Sequence, residues 1–237
     1  MNPLLIILFA FLLLNILGGG SPPFLISAFL HNPILGMFML IGILIGITIH
    51  EFSHALVAYR LGDPTAKLAG RLTLSPASHL DPLGTLALIF IGFGWGKPTP
   101  FDPYNLRNVK RDSALISVAG AASNFFLAIA LALPYLFFYY THGLTQSINA
   151  IYVYVYPVIF FNVILGVFNL IPVAPLDGFK VLAGLLPKNW YHDFMQMEPY
   201  GIYILILLLI TGTIGRVLLP IVSIILETLI PGFLAPF

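Results

Sequence analysis

Long runs of apolar residues, separated by short polar segments, extend over nearly the whole chain. A helix that crosses a bilayer needs about 20 apolar residues at a rise of about 1.5 Å per residue. The runs predict an all-α polytopic membrane protein with about six transmembrane helices. These lie at residues 3–17, 34–59, 114–140 and 151–171 and, as two short helices, between Gly201 and the C-terminus.

Two segments between the second and third helices predict other structures. Leu68, Leu72 and Leu74 partly alternate with polar residues, a pattern that favours a short membrane-associated β-hairpin. The apolar run at 83–95 is followed by glycines and prolines and is too short to cross the bilayer. We therefore expect this run to be a re-entrant segment, which enters the membrane and returns to the same side.

The composition supports a membrane location. Hydrophobic residues make up 59% of the chain and charged residues 8%, whereas soluble domains are about one quarter charged. The surplus apolar surface must face lipid. A net charge of +1 without a basic tract argues against nucleic acid as a partner. Since the chain has no cysteine, any metal must be held by His, Asp or Glu.

The basic residues predict the orientation in the membrane. Cytoplasmic loops are enriched in Lys and Arg. If the second helix enters from outside and the re-entrant segment does not cross, nine of the ten basic residues lie inside, and Arg216 is the exception. We therefore expect a multi-pass protein of the cell (plasma) membrane with both termini in the cytoplasm.

Candidate chemistry begins in the second helix, where residues 50–54 read His-Glu-Phe-Ser-His. His50 and His54 are four residues apart, so they lie on one helix face about one turn apart, as two zinc ligands require. Glu51 is offset by about 100° and can reach a water molecule beside the metal. Helix packing alone is the simpler interpretation, but buried imidazoles and carboxylates are costly in a membrane unless paired or liganded.

Small residues precede this motif on the same helix face. Gly42 and Gly46 are spaced at four-residue intervals before His50. Such stripes let membrane helices approach closely, with or without a metal.

Asp177 is the candidate third ligand, because a hydrolytic zinc site needs three protein ligands and one open position. It follows a helix interrupted by Pro172 and Pro175. Freed backbone groups are tolerated in a membrane only inside protein or beside a cavity, which indicates an interior site. The predicted topology places His54 and Asp177 near the inner ends of their helices. The alternative is that Asp177 only forms a turn before Gly178.

Together these motifs resemble those of the site-2 protease family, peptidase family M50, which has His-Glu-x-x-His on one helix and Leu-Asp-Gly near the inner end of another. Residues 50–54 and 176–178 match both motifs. Residues 70–74, 79–85 and 96–100 are similar to segments of the compact bacterial and archaeal branch. The resemblance extends over about residues 36–190.

The resemblance implies an intramembrane zinc metalloendopeptidase that cleaves transmembrane segments of membrane proteins, with its active site toward the cytoplasmic side. By this resemblance His50, His54 and Asp177 bind Zn²⁺, Glu51 is the catalytic acid and base, and Asn169 binds the substrate backbone or the transition state. The family also has a Gly-Pro-x-x-Asn pattern. It corresponds here to residues 120–124, which end at Asn124 and have Ala121 in place of the proline.

The domain organisation follows from the helices and the motifs together. We expect a transmembrane helix and linker at 1–33, the metalloprotease core at 34–190 and C-terminal helices at 191–237. The outer loop near 141–149 is too short for the peptide-binding PDZ domain of many relatives, and we expect no nucleotide-binding CBS pair.

Two alternative functions stay open at this point. The protein could be a membrane metal-ion transporter, because intramembrane His and Asp also mark ion pathways. It could also be a metalloprotease of another family with Glu198 or Glu227 as third ligand. We predict surface or interfacial positions for the other histidines, which are His31, His79, His142 and His192. His79 could also cap the re-entrant segment or lie near the active-site entrance.

Overall fold

The computed structural model describes residues 24–91, 94–143 and 145–233, and every regular element within these ranges is a helix. In chain order the α-helices are α1 (Phe24–His31), α2 (Pro33–Arg60), α3 (Thr65–Leu68), α4 (Pro82–Ile91), α5 (Val109–Thr141), α6 (Gln146–Asn169), α7 (Asp177–Leu185), α8 (Lys188–Met195), α9 (Gly201–Ile210) and α10 (Thr213–Leu229). Short 3₁₀ turns lie at Pro76–Ser78, Pro103–Asn105 and Glu198–Tyr200.

Among the described residues, four stretches of helix are long and apolar enough to cross a membrane. They are α2, α5, α6 and the stretch Lys188–Ile210, which comprises α8, a 3₁₀ turn and α9. The first three correspond to the helices that the apolar runs predicted. The prediction of an all-helical fold with helices suited to a membrane is thus confirmed for the described residues.

The number of spans is not settled by these helices. The helix predicted at 3–17 lies outside the described residues, so the total of six stays a prediction. At the C-terminal end, the helix break occurs at Gly212, whose positive φ of 68° suits glycine. Arg216 and Pro220 lie inside α10.

The predicted β-hairpin at 68–74 is wrong. The described residues contain no strand, and this segment instead has a helical turn followed by an irregular loop. Leu68 and Leu74 are 82% and 60% exposed, and Gly70 turns the chain with a φ of +69°. A strand needs a second strand as its backbone hydrogen-bonding partner. Here the Ser78 carbonyl accepts a hydrogen bond from the guanidinium of Arg71, and this contact fixes a compact loop.

The two ends of the short apolar segment that contains α4 lie side by side. Leu80 and Gly96 form an isolated antiparallel bridge. The backbone N–H of Lys97 donates to the carbonyl of His79 at 2.8 Å. The residues that precede α4 and those that follow it are therefore hydrogen-bonded to each other.

Helices α2, α5 and α6 pack against one another and form the centre of the molecule. The glycine stripe of α2 explains how closely α6 approaches. A Cβ atom at Gly42 would lie 2.9 Å from the Val158 Cα, and one at Gly46 would lie 2.7 Å from Leu165 Cδ1. The stripe therefore packs helix against helix, as small residues do in membrane interfaces.

Asp63 joins the loop after α2 to the loop before α5. Its fully buried carboxylate accepts hydrogen bonds from Thr65 and, across the two loops, from the Asp102 N–H and the Asn105 side-chain amide, both at 2.8 Å. Burial raises the pKa of the Asp63 carboxyl, but these hydrogen bonds outweigh it and hold the pKa below its ordinary value.

Candidate metal centre

His50 and His54 lie one turn apart on α2, and both side chains are buried. Their Nε2 atoms approach the same carboxylate oxygen, Oδ2 of Asp177, at 3.0 Å and 3.2 Å. One ligand atom from each residue lies within 4.8 Å of the others. The two motifs that the sequence analysis paired are therefore in direct contact.

Asp177 reaches the histidines because the chain changes direction between α6 and α7. Seven residues separate the two helices, including Pro172 and Pro175, and Asp177 opens α7. The bond between Ala174 and Pro175 is cis. Gly178 is needed for this path, since a Cβ there would lie 2.2 Å from the Leu170 carbonyl oxygen. The glycine of the Leu-Asp-Gly motif thus permits the close return of the chain.

The opposite ring nitrogens of both histidines are hydrogen-bonded. His50 Nδ1 lies 2.8 Å from Asn124 Oδ1, and His54 Nδ1 lies 2.7 Å from the Ile116 carbonyl oxygen. Because a carbonyl oxygen can only accept, Nδ1 carries the proton in each of these bonds. Such contacts orient a metal-binding imidazole and leave the Nε2 lone pair for the metal.

Asn124 is itself fixed by a buried amide network. Its Nδ2 donates to the Gly46 carbonyl at 3.0 Å and to Asn162 Oδ1 at 2.9 Å. Asn162 donates in turn to the Val158 carbonyl at 2.8 Å, and both asparagines are fully buried. Sequence reasoning missed Asn162, whose only signal is an amide within an apolar helix.

Gly120 of α5 leaves room for a metal at the ligand atoms. A Cβ atom at this position would lie 2.5 Å from both His50 Cε1 and His54 Nε2. Any side chain would therefore occupy the space into which both imidazoles point.

The residues present fit a zinc ion. Zinc binds His nitrogen and carboxylate oxygen at about 2.0 Å, which puts neighbouring ligand atoms of a tetrahedron about 3.3 Å apart. The two distances to Asp177 are close to this value.

Glu51 is held beside the histidines by the loop that precedes α5. Its Oε2 accepts a hydrogen bond from the Thr99 N–H at 2.8 Å, and the Thr99 hydroxyl donates to the Glu51 carbonyl at 3.0 Å. Thr99 lies in the segment 96–100 that resembles the family, but the sequence did not predict its hydrogen bonds with Glu51. Its two contacts anchor this loop to α2.

Three other candidate residues have different surroundings. Asn169 donates to the Leu165 carbonyl of its own helix at 3.0 Å, and its substrate-binding role stays a prediction. Glu198 and Glu227, the alternative third ligands, are exposed and lie outside the metal cluster.

The surface position predicted for His79 is wrong, because His79 is fully buried. Its Nε2 contacts the Thr73 carbonyl at 2.7 Å, and its Nδ1 has no hydrogen-bond partner among the described residues. The irregular loop that replaces the expected hairpin folds over this ring. The remaining histidines outside the cluster are exposed, as predicted: His31, His142 and His192.

Comparison with known proteins identifies the family. The family model described as Peptidase family M50 matches residues 138–211. YwhC of Bacillus subtilis, provisionally named a zinc metalloprotease, is 34% identical over 212 residues, which cover 88% of this chain and 97% of the relative. Rip2 of Mycolicibacterium smegmatis, also provisionally named a zinc metalloprotease, is 31% identical over 77% of this chain and 71% of the relative.

A more distant relative is the zinc metalloprotease MJ0392 of Methanocaldococcus jannaschii, which is 25% identical over 68% of this chain and 38% of its own length. No solved structure matches the chain. The relatives are named for zinc, and this chain brings together a His-His-Asp cluster that could hold that metal. The chain belongs to peptidase family M50, the site-2 protease family.

Proposed function

We propose that the protein is an intramembrane endopeptidase that cleaves transmembrane segments of membrane proteins, as in regulated intramembrane proteolysis. In this proposal His50, His54 and Asp177 are the zinc ligands and Glu51 is the general base. The observation that carries it is the convergence of two buried histidines and one carboxylate between candidate membrane spans.

The chemistry is hydrolysis of a peptide bond. Zinc, when bound, supplies a Lewis acid that polarises the scissile carbonyl and lowers the pKa of a coordinated water to about 7. Glu51 accepts a proton as the water oxygen bonds to the carbonyl carbon, and returns it to the amine nitrogen as the C–N bond breaks. Asn124 and the Ile116 carbonyl keep both imidazoles oriented throughout.

The substrate must lose its helical structure near the site, because a peptide bond inside a helix is shielded by the neighbouring turns. Unwinding exposes backbone N–H and C=O groups that need partners in a membrane. We assign Asn169 to this role, since it ends α6 on the side from which Asp177 arrives. Its one hydrogen bond given above is to its own helix, so its carbonyl oxygen can accept from a substrate N–H.

The topology is part of the same proposal. Residues 34–190 form the protease core, and the segment around α4 enters the membrane and returns to the cytoplasmic side. The Leu80–Gly96 bridge supports a return, because it joins the two ends of this segment. In a plasma membrane with six spans, the active site then lies toward the cytoplasm, where water reaches it easily.

Exchange of Glu51 for Gln tests the proposal. The amide is nearly isosteric but cannot take up the proton, so Glu51→Gln is expected to keep bound zinc and to lose cleavage by at least about a hundredfold. Zinc content of the purified variant and cleavage of a model transmembrane substrate are the two measurements. Glu227→Gln, at an exposed glutamate, is the matched control. Retained turnover in Glu51→Gln would remove Glu51 as the base.

A further inference from the structure

A basic pocket lies away from the metal cluster, between the start of α5, the end of α7 and the start of α8. Its volume is about 360 Å³. Its charged lining consists of Lys110, Arg111 and Lys188, joined by the rings of Tyr191 and His192, and no acidic side chain of the described residues lines it.

The positive charge of this pocket is only partly balanced. Asp112 is 1% exposed, and its carboxylate accepts hydrogen bonds from the Arg111 side chain and from the Asn108 N–H, so it balances the charge of Arg111. Lys110 donates to the Leu186 carbonyl, which positions its ammonium group without neutralising it. Lys188 is exposed and takes part in no ion pair among the residues that the structure describes.

The pocket is at the level where candidate membrane spans begin. Lys110 and Arg111 lie in the first turn of α5, and Lys188 opens the stretch Lys188–Ile210. Trp190 and Leu185, beside the lining residues in the chain, are 61% and 79% exposed. Tryptophan is typical of membrane interfaces, where its apolar ring meets acyl chains near the headgroups. A basic pocket with exposed apolar neighbours suits a ligand with an anionic head and an apolar tail.

We propose that this pocket binds the phosphate-bearing headgroup of an anionic phospholipid from the surrounding membrane. Basic pockets between helices on the cytoplasmic side are suited to such headgroups, and Lys or Arg near the surface attract them. The tail would cover Leu185 and Trp190, which a free phosphate ion would leave exposed. The site is separate from the metal cluster and does not depend on the proposed protease activity.

The test uses the purified full chain in neutral detergent, with lipid retention counted by native mass spectrometry. We expect more phosphatidylglycerol than phosphatidylcholine to remain bound. Lys188→Gln should weaken phosphatidylglycerol retention about fivefold, the effect of one interfacial charge. Lys67→Gln removes another exposed charge, which lies outside the pocket, and should leave retention unchanged. Because Lys188 is exposed, its replacement is not expected to disturb folding, and zinc content checks this.

Three results would overturn the proposal. The first is equal retention of the two lipids by the unaltered protein. The second is phosphatidylglycerol retention in Lys188→Gln that equals the retention in Lys67→Gln. The third is displacement of the lipid by inorganic phosphate at the same molar concentration, because the site would then recognise a free anion rather than a lipid.

Discussion

Gly120 faces His50 and His54 without a side chain, and its hydrogen atoms border the space that a metal would use. A methyl group there would lie 2.5 Å from His54 Nε2 and would clash with His50 as well. The helix backbone of α5 cannot withdraw, because the Ile116 carbonyl and Asn124 on the same helix hold the two imidazoles. Residue 120 therefore cannot carry a side chain without displacing the imidazoles of His50 and His54.

Gly120→Ala is expected to lower zinc affinity more than tenfold, because the added methyl group displaces the imidazoles from a shared metal. Retained zinc after dialysis against a graded chelator measures this. Gly215→Ala is the matched control, since nothing lies within 4 Å of a Cβ there. Equal zinc retention in both variants would contradict the placement of the metal beside Gly120.

Asp177 can be tested by two replacements that separate its possible roles. As the third ligand, Asp177→Ala should lose zinc and cleavage, and Asp177→Asn should lose at least about tenfold in zinc affinity, since a neutral amide oxygen is a poorer ligand. As a turn former before Gly178, Asn would substitute well. Asp193→Asn, at an exposed aspartate, is the control for charge alone. Near-normal zinc content and activity in Asp177→Asn would exclude the ligand role.

The sequence predicted the three members of this cluster better than the residues that position them. His50 and His54 follow from helix periodicity, and Asp177 from a motif beside a broken helix. The bond from His50 to Asn124 joins residues 74 positions apart, and no local pattern encodes it. The contact between Glu51 and Thr99 depends likewise on how a loop folds back onto α2.

At the scale of elements, helices were predictable and the hairpin was not. A run of about 20 apolar residues in lipid must satisfy its own backbone hydrogen bonds, so length and composition are enough to predict α2, α5 and α6. A hairpin instead needs a partner strand and an apolar face to bury. The leucines at 68 and 74 are exposed, and the chain forms loops around the buried His79.

Asp63 links two of these loops, and its effect on stability should depend on pH. A carboxyl whose pKa is lower in the folded than in the unfolded chain stabilises the fold above its unfolded pKa, about 3.9. This stabilisation is lost as the pH falls through the lower, folded pKa. Asp63→Asn is expected to destabilise the protein by about 1.5–3 kcal/mol at pH 7, since it weakens charged hydrogen bonds.

Thermal unfolding in detergent at pH 7 and at about pH 4 and below measures this effect. The difference between the unaltered protein and Asp63→Asn should shrink as the pH falls. A constant difference across this range would show that the Asp63 charge contributes nothing to stability.

At the scale of the whole molecule, the fold predicts which loops share a side of the membrane. Because the chain has no cysteine, single cysteines can be labelled without background. Arg60→Cys, Lys97→Cys and Arg107→Cys should all react with a membrane-impermeant reagent from the cytoplasmic side, since α4 is too short to cross. His142→Cys should react from the other side. Labelling of Lys97→Cys and Arg60→Cys on opposite faces would overturn this topology.

The distance along the chain between the proposed ligands has a consequence for the newly made protein. Asp177 follows His50 by 127 residues, and the support for His50 comes from a third helix between them. During synthesis on a ribosome, both histidines enter the membrane long before the carboxylate has been translated. A partly translated chain thus cannot bring the three side chains of the cluster together before Asp177 has been made.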